Sequence, residues 1–161
     1  MAKEKAVLGG GCFWHIQYVF SKLNGVISTS AGYMGGDEKS YPNVNYEQVS
    51  SGNTGYAEVV MIEFDNSKIS YNQLLNAFWK EHNPTTLNRQ GPDIGTNYRS
   101  VIFYQNKEQK EKAEKSKKAA QKKFSNKIVT EIKPASKFVK AEEYHQNYVI
   151  KHGGIDTCPV R

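Results

Sequence analysis

The sequence predicts an α+β protein with the architecture of a two-layer α/β sandwich. Short stretches with strand-like patterns alternate with stretches of helical periodicity, but the helices are few and the loops are long. This pattern fits a doubly wound sheet poorly. The 161 residues, of which 38% are hydrophobic, can bury one core without disulfides or metals. We therefore expect residues 1–161 to form a single domain.

The N-terminal part of the chain predicts a strand, a helix and a second strand. Lys5–Leu8 predicts a short strand that runs into three glycines. Apolar residues then recur in steps of three and four at Phe13, Ile16, Phe20 and Leu23. This spacing indicates an amphipathic helix, which Asn24-Gly25 ends before a strand over Val26–Tyr33. Cys12 therefore lies at a strand-to-helix turn, at or beside the helix N-terminus.

The middle of the chain predicts two more strands around a helix and a long loop. Tyr56–Phe64 alternates in polarity and predicts a strand. Ser70 and Gln73 have the spacing of a capping box at the start of a helix. The apolar stripe of that helix contains Leu74, Leu75, Phe78 and Trp79. A polar loop over residues 83–98 has a length that is often functional, and a strand over Arg99–Gln105 follows it.

The C-terminal part predicts a charged helix, a last strand and a tail. Asn106 can cap a lysine-rich helix, after which Ile128–Ile132 predicts a strand. A short helix is expected around Glu142–Tyr148. From about residue 151 we expect a mobile tail, which carries Cys158.

The positive charge of the chain is concentrated in one segment. The formal net charge is +6, and Lys107–Lys123 contains eight lysines and three glutamates. A solvated helix face explains this segment better than a nucleic-acid site, because zinc-finger spacing and an RNA-binding aromatic signature are absent from the sequence. The sequence also lacks a long apolar run and an N-terminal signal core. We therefore expect a cytoplasmic protein with no nucleic-acid or membrane partner.

The two cysteines, Cys12 and Cys158, are too few for a secreted disulfide framework. The scattered histidines offer no zinc spacing, so we expect no metal or other cofactor. A helix N-terminus favours a thiolate at Cys12, although a small buried hydrophobic cysteine remains an alternative. The large rings of Phe13 and Trp14 could line an apolar pocket or belong to the core.

Five ordered sequence blocks extend over nearly the whole chain. The blocks are Gly11–Trp14, Ser30–Gly36, Asn45–Glu58, Gln90–Ser100 and Ala141–Tyr148. With these five blocks in this order, the chain resembles the peptide methionine sulfoxide reductases of type A. The resemblance implies a ferredoxin-like core and reduction of methionine S-sulfoxide, both peptide-bound and free.

The resemblance also implies a role for each matching residue of a catalytic set. Cys12 matches the nucleophile, and Glu58 matches the acid beside the sulfoxide oxygen. Tyr46 and Tyr98 match two tyrosines that donate hydrogen bonds to that oxygen. Glu58 would need desolvation to stay protonated near neutral pH.

Four further residues match positions that line the substrate site. Phe13 and Trp14 match the aromatic residues that hold the sulfoxide methyl group, and Asp93 matches an acidic position near the substrate. His145 lies in the last block. Three roles stay open for it: a contact to the substrate, a structural hydrogen bond, or a base for Cys158.

Two positions depart from the usual family pattern. The family most often has Gly after the Trp, where this chain has His15, and Glu is frequent where it has Gln17. We expect His15 to be a tolerated surface substitution and the chemistry to be unchanged.

The resemblance implies a recycling route as well. Reduction leaves Cys12 as a sulfenic acid, and a Cys12–Cys158 disulfide that thioredoxin reduces would follow. An external thiol that resolves Cys12 directly is the alternative. We expect a monomeric enzyme. Two other functions stay open: a thiol peroxidase, which would not need Glu58, and a basic binding module that uses the lysine-rich helix.

Overall fold

The computed structural model describes residues 2–154 of the chain. The strands in this range are β1 (Lys3–Gly10), β2 (Val26–Met34), β3 (Ala57–Asp65), β4 (Arg89–Gln90), β5 (Asp93–Ile94), β6 (Ser100–Tyr104), β7 (Glu131–Pro134) and β8 (Val139–Lys140). The helices are α1 (Phe13–Ser21), α2 (Tyr46–Ser50), α3 (Tyr71–Glu81), α4 (Lys107–Gln121) and α5 (Tyr148–Lys151), with 3-10 turns at Thr96–Tyr98 and Glu143–His145.

Six of the strands form the central sheet in the order β7-β6-β1-β3-β2-β8. All neighbours in this sheet are antiparallel except β6 and β7. The inner order β6-β1-β3-β2, with α1 after β1 and α3 after β3, is the split βαβ arrangement of a ferredoxin-like core. The predicted α+β class and its two-layer architecture are therefore confirmed.

The helices cover one face of the sheet, and this decides where the polar residues of β3 point. Val60 of β3 packs in the main apolar core with Phe20 of α1 and Leu74 of α3. Val59 belongs to a smaller apolar cluster on the opposite face. Because side chains alternate along a strand, Glu58 points to the same side as Val60, into the layer between sheet and helices.

The lysine-rich helix α4 has the capped start and the solvated face that its sequence predicted. The Asn106 side chain accepts a hydrogen bond from the Gln109 N–H at 2.9 Å. Ala113 and Ala120 are buried against the core, while the lysines of α4 are exposed or half-buried. The capping box predicted for α3 is present as well, with Ser70 and Gln73 as its members.

Two elements differ from their predicted form, and others were not predicted. The helix predicted over Glu142–Tyr148 is a 3-10 turn followed by α5, because Asn147 between them is left-handed with φ 54°. The last predicted strand is shifted to Glu131–Pro134, since Ile128 is buried in the core before pairing with β6 begins. Helix α2 and strand β8 were not predicted.

The segment after β8 is fixed to the sheet by a buried glutamine. The Gln146 side chain accepts from the Ala31 N–H at 2.9 Å and donates to the carbonyls of Ala31 and Ala141, both at 2.9 Å. The next residue, Asn147, donates its N–H to Gln17 of α1 at 2.9 Å. These contacts hold the C-terminal segment against both β2 and α1.

The first residues of the predicted tail belong to this fixed segment. Lys151 ends α5, and the Gly154 N–H closes the following turn on the Val149 carbonyl at 2.8 Å. Cys158 lies outside the described residues, so mobility of the tail stays a prediction. Among the described residues, no helix has the length and apolarity to cross a membrane, and no group of His, Cys, Asp and Glu side chains could hold a metal ion.

Replacing Gln146 with Leu should destabilise the protein by about 2–4 kcal/mol, because buried backbone groups of Ala31 and Ala141 would lose their partners. Urea unfolding measures this difference. Gln105→Leu is the control, since Gln105 is exposed and should tolerate the same change within about 0.5 kcal/mol. Equal midpoints for the two variants would contradict the proposed anchoring.

Candidate active site

Cys12 lies in the turn between β1 and α1, directly before the first helical residue. Gly11 before it has φ 97°, and a Cβ at Gly11 would approach the Gln90 side chain to 2.7 Å. Glycine is therefore required for the chain to make this close turn. The turn leaves Cys12 half-buried at the N-terminus of α1, where backbone N–H groups and the helix dipole favour a thiolate.

Glu58 reaches the same helix start from the sheet. Its side chain is 1% exposed, and its Oε1 accepts a hydrogen bond from the Phe13 N–H at 3.2 Å. The other oxygen, Oε2, is buried and has no hydrogen-bond partner within residues 2–154. A buried carboxyl group with one unpartnered oxygen is poorly suited to carry a charge.

Burial raises the pKa of Glu58 to about 8. The Phe13 N–H and the nearby Asn97 amide act in the opposite direction, and the charge of Asp93 adds to the rise. Because desolvation outweighs the hydrogen bonds, the carboxyl group keeps its proton at neutral pH. The site therefore contains a neutral acid next to the residue that follows Cys12.

Tyr46 and Tyr98 lie on two different connections that meet above Glu58. Tyr46 is the first residue of α2, and Tyr98 ends the 3-10 turn that precedes β6. Burial and the proximity of Glu58 raise the pKa of both tyrosines, so both remain protonated at neutral pH. Interaction between the two hydroxyls lowers the pKa of Tyr46 and raises that of Tyr98, so the two groups lie close to each other.

Aromatic rings surround the side of the site formed by α1. Phe13 is buried in the core, with its ring centroid 5.7 Å from that of Tyr33 and 6.4 Å from that of Tyr46. Trp14 is half-buried and stacks on Tyr148 of α5, with the centroids 3.6 Å apart and the planes at 5°. Phe13 therefore belongs to the core, and a contact between its ring and a substrate stays a prediction.

His145 connects Trp14 to the C-terminal segment. It is 1% exposed, and its Nδ1 accepts a hydrogen bond from the Trp14 indole N–H at 2.9 Å. Since the indole can only donate, the neutral imidazole carries its proton on Nε2. Burial lowers the pKa of His145, although the charge of Glu142 opposes this shift. Its Nε2 is buried and has no partner in the part of the chain that the structure describes.

Asp93 enters the site from the long loop before β6. It lies in β5, which pairs with β4 to form a small hairpin within the predicted loop. Gln90 fixes the base of this hairpin, because its side chain pairs with both the N–H and the carbonyl of Asn83. Burial raises the pKa of half-buried Asp93, and its charge in turn raises the pKa of Glu58. The hairpin therefore brings a second carboxyl group close to the acid.

His15 and Gln17, the two residues that depart from the family pattern, both contact other elements of the fold. The expectation of a surface position for His15 is wrong, because His15 is 8% exposed and its Nε2 lies 3.1 Å from the Glu81 carbonyl oxygen at the end of α3. Gln17 is buried and donates to the Thr29 carbonyl at 3.3 Å. His15 therefore faces α3, while Gln17 joins α1 to β2.

Two residues of the site had no role in the sequence analysis. Asn97 is buried beside Glu58, and Glu142 contacts Tyr33 and Tyr46. Both lie inside blocks that carry the resemblance, and the adjacent position of Asn97 to Tyr98 was the available signal for Asn97. Cys158 is the one candidate of the sequence analysis that lies outside the described residues.

The assembled groups suit one kind of chemistry. A thiolate at Cys12 can attack an electrophilic atom, and neutral Glu58 can protonate an oxygen bound to that atom. The hydroxyls of Tyr46 and Tyr98 can stabilise the charge that develops on this oxygen. The half-buried ring of Trp14 can offer an apolar surface to a small alkyl group on the same atom.

Comparison with known proteins gives a consistent result. The profile of the family described as "Peptide methionine sulfoxide reductase" matches residues 4–161. The peptide methionine sulfoxide reductase MsrA of Geobacter metallireducens is 54% identical over 153 residues, which cover 94% of this chain and 93% of the relative. The MsrA of Methanothermobacter thermautotrophicus is 50% identical over 151 residues, covering 92% of this chain and 88% of the relative.

Solved structures agree with these relatives. Reduced Mxr1 from Saccharomyces cerevisiae is 36% identical with a TM-score of 0.92, covering 98% of this chain and 90% of the yeast chain. Methionine sulfoxide reductase A of Corynebacterium diphtheriae is 30% identical with a TM-score of 0.88, covering 98% and 78% of the two chains. The resemblance found in the five sequence blocks is thus confirmed, and the chain belongs to the peptide methionine sulfoxide reductase family.

Proposed function

We propose that this enzyme reduces the S-epimer of methionine sulfoxide, in peptides and as the free amino acid, with Cys12 as its nucleophile. The observation that carries the proposal is the hydrogen bond from the Phe13 N–H to Glu58 Oε1. It joins a buried acid, protonated below about pH 8, to the first turn of the helix that follows Cys12. A thiolate and a proton donor on the two sides of one S–O bond are what the reduction requires.

The first half-reaction transfers one oxygen atom from substrate to enzyme. The Cys12 thiolate attacks the sulfoxide sulfur while Glu58 gives its proton to the oxygen, and Tyr46 and Tyr98 donate hydrogen bonds to it. This attack forms a bond between the two sulfurs, which breaks again as the protonated oxygen leaves the substrate sulfur and forms a new S–O bond at Cys12. Methionine is released, and the cysteine sulfur, oxidised by two electrons, becomes a sulfenic acid.

Substrate binding uses the remaining candidates. Phe13 and Trp14 offer an apolar surface to the sulfoxide methyl group, which favours one epimer once the oxygen is directed to Glu58. The buried Nε2–H of His145 is an unsatisfied donor, and the half-buried carboxyl group of Asp93 can accept a hydrogen bond. We assign these two polar groups to the backbone of the substrate methionine.

Recycling needs a second thiol. Cys158 attacks the sulfenic acid of Cys12, which releases water and forms a disulfide. A dithiol protein of the thioredoxin class then reduces this disulfide by exchange. In this role the enzyme acts as a cytoplasmic monomer that repairs oxidised methionine residues, with no nucleic-acid or membrane partner.

The pH dependence of the first half-reaction tests the acid. Above about pH 8 the wild-type single-turnover rate should fall, because Glu58 loses the proton that the oxygen needs. Glu58→Gln should keep a reduced rate without this fall, since its amide is a neutral donor at every pH. Glu58→Leu should be slower by a further factor of at least about 10. Rapid-quench measurement of methionine gives all three rates.

Glu63→Gln is the control for this experiment, because Glu63 is half-buried on the same strand. It should retain both the wild-type rate and its decline above pH 8. The assignment of Glu58 fails if Glu58→Gln shows the same decline as the wild type.

Turnover with thioredoxin tests the role of Cys158. Cys158→Ser should release about one equivalent of methionine per enzyme and then stop, because Cys12 has no internal partner to form the exchangeable disulfide. Continued turnover at the wild-type rate would remove Cys158 from the mechanism and favour direct resolution by an external thiol. Rapid consumption of hydrogen peroxide without sulfoxide reduction would support the thiol peroxidase instead.

A further inference from the structure

A carboxylate outside the proposed catalytic set connects three parts of the site. Glu142 directly precedes the 3-10 turn of His145. Its Oε1 accepts a hydrogen bond from the Tyr33 hydroxyl at 2.9 Å, and its Oε2 accepts one from the Tyr46 N–H at 3.0 Å. Its carbonyl oxygen accepts from the His145 N–H at 2.9 Å. One residue thus joins β2, the start of α2 and the C-terminal segment.

The surroundings of Glu142 favour the charged form that can accept both side-chain bonds. Partial burial raises its pKa, but the Tyr46 N–H, its own N–H, the Tyr33 hydroxyl and the proximity of His145 outweigh this and lower the pKa overall. An ionised carboxylate has acceptor sites on both oxygens. Both bonds therefore persist at neutral pH.

These bonds act on Tyr46 from two directions. Glu142 holds the backbone of Tyr46 at the first residue of α2. Its main-chain carbonyl, independently of the carboxylate, accepts from the N–H of His145, whose ring lies 4.5 Å from the Tyr46 ring, measured between centroids. Phe13 packs on the Tyr46 ring as well, at 6.4 Å. The position of the Tyr46 hydroxyl therefore depends on Glu142, although the Glu142 carboxylate is occupied by Tyr33 and Tyr46 rather than directed at Cys12.

We propose that Glu142 is a positioning residue for sulfoxide reduction, and that its carboxylate keeps the Tyr46 hydroxyl aimed at the sulfoxide oxygen. This inference rests on the proposed function, since it needs Tyr46 to be an oxygen donor. With a purely structural role, Glu142 would make the same contacts, but replacing it would lower the rate whether or not the Tyr46 hydroxyl is present. The two roles differ in whether the effect of Glu142 on the rate disappears when the Tyr46 hydroxyl is absent.

A double-mutant cycle makes this distinction. Glu142→Gln keeps the size of the side chain, but it replaces one of the two accepting oxygens with an amide nitrogen that can only donate, so one of the bonds from the Tyr33 hydroxyl and the Tyr46 N–H is lost. The single-turnover rate of methionine formation should fall by about 10- to 100-fold, the range expected when a catalytic group is misplaced. In the Tyr46→Phe background the same change should alter the rate by less than about 2-fold. In the Tyr98→Phe background the full loss should remain.

Two controls keep the result interpretable. Glu143→Gln changes the adjacent exposed glutamate and should leave the rate within about 2-fold of wild type. The rate of Cys12 alkylation by iodoacetamide reports an intact α1 start, and it should be the same in wild type and Glu142→Gln. If Glu142→Gln folds poorly, Tyr33→Phe replaces it, because this change removes only the hydrogen bond between the Tyr33 hydroxyl and Glu142. It should lower the rate by a smaller factor when Tyr46 is present, and it should have little effect in the Tyr46→Phe background.

The outcomes separate this inference from the proposed function. An undiminished effect of Glu142→Gln in the Tyr46→Phe background would overturn it, and so would a wild-type rate for Glu142→Gln. A failure of the proposed function is recognised differently, because the wild-type enzyme itself would then form no methionine from the S-sulfoxide.

Discussion

The hydrogen bond between the Phe13 N–H and Glu58 Oε1 is the contact on which the rest of the site depends. It links the helix that begins after the nucleophile to the central strand that carries the acid. The strand keeps Glu58 in the apolar layer, where loss of water makes the neutral acid the stable form. The helix N-terminus, a few atoms away, favours an anion. One strand, one helix and the space between them thus favour a neutral acid at Glu58 and an anion at the neighbouring helix start.

The C-terminal segment completes the site from the other side. Gln146 fixes this segment to β2, so that His145 accepts a hydrogen bond from Trp14 and Glu142 reaches Tyr46. Trp14 of the aromatic surface and Tyr46, one of the two oxygen donors, are therefore held by residues about one hundred positions later in the chain. This long-range closure gives the site a defined shape.

The sequence predicted the parts of this protein that depend on local patterns. Apolar periodicity and capping residues located α1, α3 and α4, and alternation located the inner strands. It did not locate β8 or α2, because two paired residues and one helical turn leave almost no periodic pattern. The break at Asn147 was missed as well, since a left-handed residue within a helical pattern has no clear signal unless it is glycine.

The site shows the same division. The turn that presents Cys12 followed from local sequence, whereas the expected roles of Glu58 and Tyr46 came only from resemblance. The raised pKa of Glu58 arises from burial by residues far along the chain, which no local pattern contains. The exposure of His15 was misjudged for this reason, because α3 covers a helix face that is polar in sequence. The function of Glu142 likewise depends on hydrogen bonds to Tyr33 and Tyr46, both of which are distant in sequence.

The most direct test of the account is a single turnover of the intact chain with each sulfoxide epimer, without added reductant, followed by mass mapping of the cysteines. The account predicts about one equivalent of methionine from the S-epimer alone, together with a two-hydrogen mass loss in a peptide pair that joins Cys12 to Cys158. Equal reduction of the R-epimer, or methionine formed while Cys12 stays unmodified, would contradict it.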